Sequence, residues 1–159
     1  MVAWPTIILA SIGLLIAYRQ WVTAHENFKL ALFDRRSTVY DAAKELVNVS
    51  LSSSIEDSDL VEYLSKTNDA QWLFGNHVAK YLEEQIYGKA VDLQALQFEK
   101  DNPTNNNLQL EAAKNNAMLK KHMYAQYSEM RTIFSPYLKF RHTSPIHALF
   151  GWFSNTTER

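Results

Sequence analysis

The pattern of apolar and polar positions divides the chain at Tyr18. From Val2 to Tyr18 the sequence reads VAWPTIILASIGLLIAY, without a charge and with only Thr6, Ser11 and Gly13 as mild interruptions. All 16 basic and all 17 acidic residues follow it. At about 1.5 Å rise per residue, a helix from Trp4 to Trp21 spans roughly 26 Å, close to a hydrocarbon core of about 30 Å. Trp4 stands at one end and Tyr18 and Trp21 at the other, where aromatic rings suit the two headgroup layers. Pro5 fits the first helical turn, where its missing N–H costs nothing. The pattern predicts a transmembrane helix over residues 1–22. Two readings compete with it. Val22-Thr23-Ala24 resembles a signal-peptide cleavage site, but no basic side chain precedes the apolar run, and Arg19 and Trp21 sit just before the cut. A buried core helix is the other, because the run is slightly short of the usual ~20 residues.

Beyond Tyr18 the pattern turns amphipathic. No Gly or Pro lies between Leu14 and Phe74, so the span is expected to run on as one helix. Phe28, Leu32, Val39, Ala43 and Leu46 recur at helical spacing as its inner stripe, and the serines from Ser50 to Ser54 end it. A second helix is predicted over about Glu56–Leu73, with Glu56, Asp57 and Asp59 at the positive end of its dipole. Gly75 is the expected stop, and Asn76 the cap of the next helix. That third helix runs from His77 to about Lys100, with Val78, Leu82, Ile86, Leu93 and Leu96 facing inward. Asp101 to Asn107 is the clearest loop. A fourth helix starts near Leu108, carries Ala112, Leu119, Met123, Tyr127, Met130 and Phe134, and is ended or kinked by Pro136. The fold class expected is all-α: a membrane helix continuing into an up-and-down bundle of about four helices over residues 23–140.

The residues after the bundle, 141–159, form a tail. Phe140, Ile146, Leu149, Phe150, Trp152 and Phe153 are too apolar for an ordinary exposed end, and Lys139, Arg141, His142 and His147 lie among them. This mixture suits a helix in a lipid headgroup layer, but also a segment packed on the bundle or a disordered end.

Composition sharpens this picture. The net charge of -1 argues against a general nucleic-acid binder, which needs excess Lys and Arg. With no cysteine there is no disulfide, thiolate metal site or cysteine nucleophile. The near balance conceals an acidic second helix and a basic fourth one carrying Lys114, Lys120, Lys121, Arg131 and Lys139. Arg19, Lys29, Arg35 and Arg36 follow the span and nothing basic precedes it but the amino terminus. The expected orientation is therefore N-terminus outside and bundle in the cytoplasm.

Chemistry-bearing patterns are few. The histidines at 25, 77, 122, 142 and 147 show no metal-ligand spacing, and the glycines at 13, 75, 88 and 151 make no phosphate loop. Glu83 and Glu84 are adjacent, so on a helix they point about 100° apart and make no acid–base pair. No enzyme activity, metal or cofactor is expected. Three candidate interaction features remain. Thr6, Ala10, Gly13 and Ala17 form a small-residue face on the span, suited to close helix approach. Asp34, Arg35 and Arg36 are the densest charged motif, read as pairing with Glu83, Glu84 or Asp92, or as contacting a partner. The apolar tail is the third.

The order of motifs resembles a family of small uncharacterised bacterial proteins with one N-terminal span and a helical cytoplasmic domain. The residues that carry the resemblance run from Phe33-Asp34-Arg35-Arg36 to Asp41, Leu73-Phe74-Gly75, Gln85 to Leu93, and Phe134-Ser135-Pro136-Tyr137-Leu138. It implies placement in the bacterial inner membrane and no particular activity. The expected function is a single-pass, membrane-anchored interaction or scaffold module, whose partners are the lipid bilayer and a protein or a second copy. The alternative is a small membrane-acting effector, toxin-like or of phage defence, that oligomerises through its span.

Overall fold

The computed structural model describes residues 3–52, 54–101 and 106–139. These residues are helical throughout apart from short connections, and contain no strand. The chain divides into two units, one holding the residues up to Leu32 and the other Phe33–Leu138. The tail residues Phe140, Ile146, Leu149, Phe150, Trp152 and Phe153 lie outside the described residues.

Helix α1 (Ala3–Ser52) is 50 residues long, as the absence of Gly and Pro after Leu14 predicts. It ends in its serine run. There Ser50 and Ser52 turn their hydroxyls back to the carbonyls of Leu46 and Asn48, at 2.6 and 2.7 Å. Helix α2 (Asp57–Thr67) begins with acidic residues, and the Glu56 N–H donates to the Asp59 carboxylate at 2.9 Å. The expected single second helix is in fact two. Thr67, Asn68 and Asp69 interrupt it, and α3 (Ala70–Phe74) starts anew, with the Asp69 carbonyl accepting from the N–H groups of Trp72 and Leu73. Short polar side chains that compete for backbone bonds explain the break.

Gly75 ends α3 with φ 88° and ψ 174°, a conformation nearly restricted to glycine. Asn76 is the first residue of α4 (Asn76–Tyr81) and not its cap; its side-chain oxygen accepts from the Gln71 amide. α4 runs without interruption through a π turn (Leu82–Tyr87) into α5 (Gly88–Asp101). The core residues Val78, Leu82, Ile86 and Ala90 are each four apart, a spacing that drifts by about 40° per step on an α-helix. A turn closed five residues back resets that drift, and the Gly88 N–H donates to the Glu83 carbonyl in that manner. Tyr63 of α2 braces the turn. Its buried hydroxyl donates to the Leu82 carbonyl at 3.0 Å, and its ring stacks on Tyr87 at 6.1 Å.

Helix α6 (Asn106–Leu138) starts two residues earlier than expected and continues through Pro136. The proline therefore neither ends the helix at once nor stands outside it; α6 stops two residues later. Within the second unit, side-chain contacts fix the topology. As α1 advances through Arg36, Tyr40, Asn48 and Leu51, its partners on α6 retreat through Tyr137, Phe134, Tyr127 and Lys120. The two helices are antiparallel, at roughly one residue for one. Ile55, Asp57 and Tyr63 likewise meet Gln97, Gln94 and Leu82 in descending order. The result is an up-and-down bundle: α1, then α2 with α3, then α4 to α5, then α6 back beside α1. Val39, Ala43, Leu46, Phe74, Val78, Ile86, Leu93, Met123, Met130 and Phe134 fill its core. The inner stripe expected on α1 is too long at its start: Phe28 is 66% exposed, because packing begins only at the second unit.

Gly75→Ala forces a side chain into the glycine-only region although its Cβ would meet no atom. It should destabilise the bundle by about 1–3 kcal/mol in urea unfolding. An unchanged midpoint would show that the backbone relaxes freely there.

Candidate functional site

The first candidate surface is the start of α1. Trp4, Ile7, Leu9, Ile12, Leu14, Leu15 and Ile16 are all exposed, from 49% to 79%. Bulky apolar side chains left bare over several turns are far beyond the scattered exposure normal for a protein surface. One helix near the N-terminus is thus long and apolar enough to cross a membrane. Along it the Ser11 hydroxyl donates to the Ile7 carbonyl at 2.8 Å and the Thr23 hydroxyl to the Arg19 carbonyl at 3.0 Å. Tyr18, Trp21 and His25 form an aromatic run, with Trp21 stacked on His25 at 5.7 Å. Ala10, Gly13 and Ala17 are exposed on one side, and a Cβ at Gly13 would meet no atom within 4 Å. The side chain of Thr6, the fourth residue of that face, lies outside those described.

The charged motif is resolved into unlike members. Asp34 and Arg35 are exposed, whereas Arg36 is half-buried at the end of the bundle. It does not pair with Glu83, Glu84 or Asp92, as the sequence suggested; Glu84 pairs with Lys80 and Asp92 with Lys89. The Arg36 guanidinium instead donates to two main-chain carbonyls, Leu73 at 3.2 Å and Tyr137 at 3.4 Å. These lie in the last turns of α3 and α6, where helix carbonyls lack intrahelical partners and the dipole is negative. The same guanidinium stands 5.8 Å from the Phe74 ring centre and 5.5 Å from that of Tyr137. Phe74 meets Phe134 and Tyr137 edge-on, and Tyr40 meets Phe134 the same way. Arg36 is therefore a structural cation joining α1, α3 and α6.

A third feature has only a faint sequence signature. Between α4, the π turn and α6 runs an open polar groove lined by His77, Lys80, Tyr81, Glu84, His122 and Glu129. Behind it lies the buried Gln126. The Tyr81 hydroxyl donates to its amide oxygen at 2.7 Å, and its amide nitrogen sits 3.1 Å from His122 Nε2. Among the described residues no group of three or more His, Asp or Glu converges as a metal site. The groove, which Ser128 and Thr132 also line, offers hydrogen bonds and mixed charge. The i, i+4 spacing of His122 and Gln126 on the Met123–Met130 face was its one trace in the sequence.

No protein-family model, no curated protein and no solved structure matches the chain.

Two predictions follow from these contacts. Arg36→Met removes two charge-assisted hydrogen bonds and the ring contacts, and should cost about 2–4 kcal/mol in urea unfolding of the full chain. Arg35→Ala, at an exposed position, should stay within about 0.5 kcal/mol; equal effects would overturn the separation of the two arginines. The second concerns alkaline pH. Burial raises both Tyr63 and Tyr81 above the ordinary tyrosine range, reinforced at Tyr81 by the Glu129 carboxylate. An unfolded tyrosine ionises near pH 10, so above that pH the unfolded chain releases protons that the folded chain keeps. Stability contributed by these hydroxyls is thus complete below about pH 10 and declines as pH rises, by up to about 1.4 kcal/mol per pH unit per tyrosine. The paired variant Tyr63→Phe, Tyr81→Phe should flatten that decline; an unchanged slope would refute the assignment.

Proposed function

We propose that the chain is a single-pass membrane protein whose helical bundle serves as an anchored interaction or scaffold module. The observation that carries this reading is the exposed apolar start of α1, bare from Trp4 to Ile16. Lipid is the surrounding in which such a surface is favourable. The aromatic run at Tyr18 and Trp21 suits a headgroup layer, and the basic residues from Arg19 to Arg36 support a bundle on the cytoplasmic side. The resemblance stated above supports the bacterial inner membrane. The module's partner is a protein or a second copy, the latter approaching through the open face at Ala10, Gly13 and Ala17.

Carbonate washing of membranes tests the anchor. The full chain should stay in the pellet, and a C-terminal tag should resist protease added to spheroplasts. Release by carbonate would overturn the span, and digestion of the tag from outside would overturn the orientation. Gly13→Leu should weaken self-association at least several-fold in a membrane reporter if the span pairs. A mild-detergent pull-down then separates a self-associating module from one that binds another protein.

A further inference from the structure

Over residues 7–31, helix α1 carries a strict seven-residue repeat. Ile7, Leu14, Trp21 and Phe28 stand seven apart. Ala10, Ala17, Ala24 and Ala31 follow them, each three residues later. The two rows take the a and d positions of four consecutive heptads, the sustained length that marks a coiled-coil seam. A bulky apolar side chain alternates with every alanine, so the feature is more than a row of small residues. The repeat also ignores the end of the apolar run: Ile7 to Ala17 lie within it, and Trp21 to Ala31 beyond it.

Both rows are open. The large members are 51% to 74% exposed, and the four alanines are exposed with them. Charge is kept away from the seam. Arg19 and Glu26 fall at f and Lys29 at b, the outer positions, where Lys29 pairs with Glu26 at 3.3 Å. The e and g positions beside the seam hold Gly13, Tyr18, Gln20, His25 and Asn27, with no acid, Lys or Arg among them. Two identical copies can therefore approach without like charges meeting. Arg35 takes the next a position, where a second Arg35 would repel it, so the seam closes at Ala31.

A seam with a period of about 3.5 residues needs a partner that keeps that period along its length. The partner must also be apolar wherever α1 is. Among the described residues α1 alone is long and apolar enough to cross a membrane, so no other described helix of the molecule matches it. A second α1 matches it layer for layer. Membrane insertion gives both copies one direction, which makes the pairing parallel and sets identical positions opposite each other.

We propose that two copies of the chain pair through this seam as a parallel, in-register coiled coil from Ile7 to Ala31. Alanine at d lets the backbones come close, and a repeat that drifts by about 20° per heptad against an ideal helix winds the pair left-handed. The inference rests on the anchor reading and deepens it: the partner is a second copy, and the contact runs on past the apolar span.

The absence of cysteine makes the test direct. Ala24→Cys, Phe28→Cys and Ala31→Cys each place a thiol in a seam layer, where identical positions come within disulfide range. Glu26→Cys and Lys29→Cys place it on the outside. Each full-length variant is oxidised in native membranes, and linked species are identified by mass spectrometry. Portions of the same membranes are washed with carbonate, and circular dichroism of the purified variants verifies folding. Linked homodimers should be about ten-fold more abundant at the three seam positions than at the two outer ones. Phe28→Asp combined with Ala24→Cys should lower the linkage about ten-fold, because two facing carboxylates oppose burial of the layer. Equal linkage at all five positions would overturn the proposal, as would none in folded variants, or linkage to a different protein. A chain that resists carbonate without periodic linkage loses the seam and keeps the anchor. A chain released by carbonate loses the anchor, and its linkage pattern still decides the seam.

Discussion

Arg36 is the side chain on which three helices converge, and the rest of the bundle is arranged around what it joins. α3 and α6 point their carboxyl ends the same way, so each brings unpaired carbonyls and a negative dipole end to one place. Left alone, those ends would repel. A guanidinium between them turns the repulsion into two donated hydrogen bonds, to Leu73 and Tyr137. Arginine suits this better than lysine, because its planar fork serves two acceptors at once and its face rests against Phe74 and Tyr137. The other end of the bundle is closed by related means. Lys120 donates to the Leu51 carbonyl in the last turn of α1, and Gln97 accepts from the Ile55 N–H while Gln94 holds Asp57. Long polar side chains thus reach across to main-chain groups at both ends, and the layers between can remain almost wholly apolar.

The exceptions in those layers are small and complete. Ser50 satisfies itself within its own helix, and Gln126 is held between Tyr81 and His122. No buried side-chain nitrogen or oxygen among the described residues lacks a partner. Such a network fixes register, because sliding α6 by one residue would leave a buried amide unpaired. The π turn acts in the same way between α2 and the helix from α4 to α5. It keeps a four-residue repeat on one side, and the Tyr63 hydroxyl bonds the Leu82 carbonyl within it. Register here is set by polar contacts and the apolar residues follow.

The helices were legible because their signals are local. A stretch without Gly or Pro, a serine run, an acidic first turn and Gly75 each act on their own few residues. The break at Thr67-Asn68-Asp69 was hidden, since Leu60, Tyr63, Ala70 and Phe74 keep helical phase across it, and periodicity outweighed three weak interrupters. Pro136 marked the end of α6 to within two residues: so near the terminus, one missing hydrogen bond did not stop the helix at once. Arg36 was misread for a deeper reason. Its acceptors are main-chain oxygens, which every residue carries, so no side-chain pattern marks them. Acids at Glu83, Glu84 and Asp92 looked like partners only because acids are visible in a sequence and carbonyls are not. The Tyr81–Gln126 half of the network joins two distant segments, and only the His122–Gln126 spacing within α6 leaves a trace in the sequence.

α1 raises one further point of physics. The turns between Tyr18 and Phe33 are largely exposed, and an isolated segment of that length would be a marginal helix in water. The cost of such a helix lies in nucleation, which fixes several residues for the first hydrogen bond. Here both flanks of the segment are already helical within one unbroken element, so it needs only propagation. Alanines at 24 and 31, with Lys29 and Glu26 paired three residues apart, favour propagation further. The helix therefore needs no cover to exist. The exposed side chain of Phe28 adds nothing to that stability, whereas its burial would be worth roughly 1.5–3 kcal/mol. Helix stability and surface solubility are separate demands on this stretch, met by different residues, and a change at Phe28 alters the exposed surface without unwinding the helix that presents it.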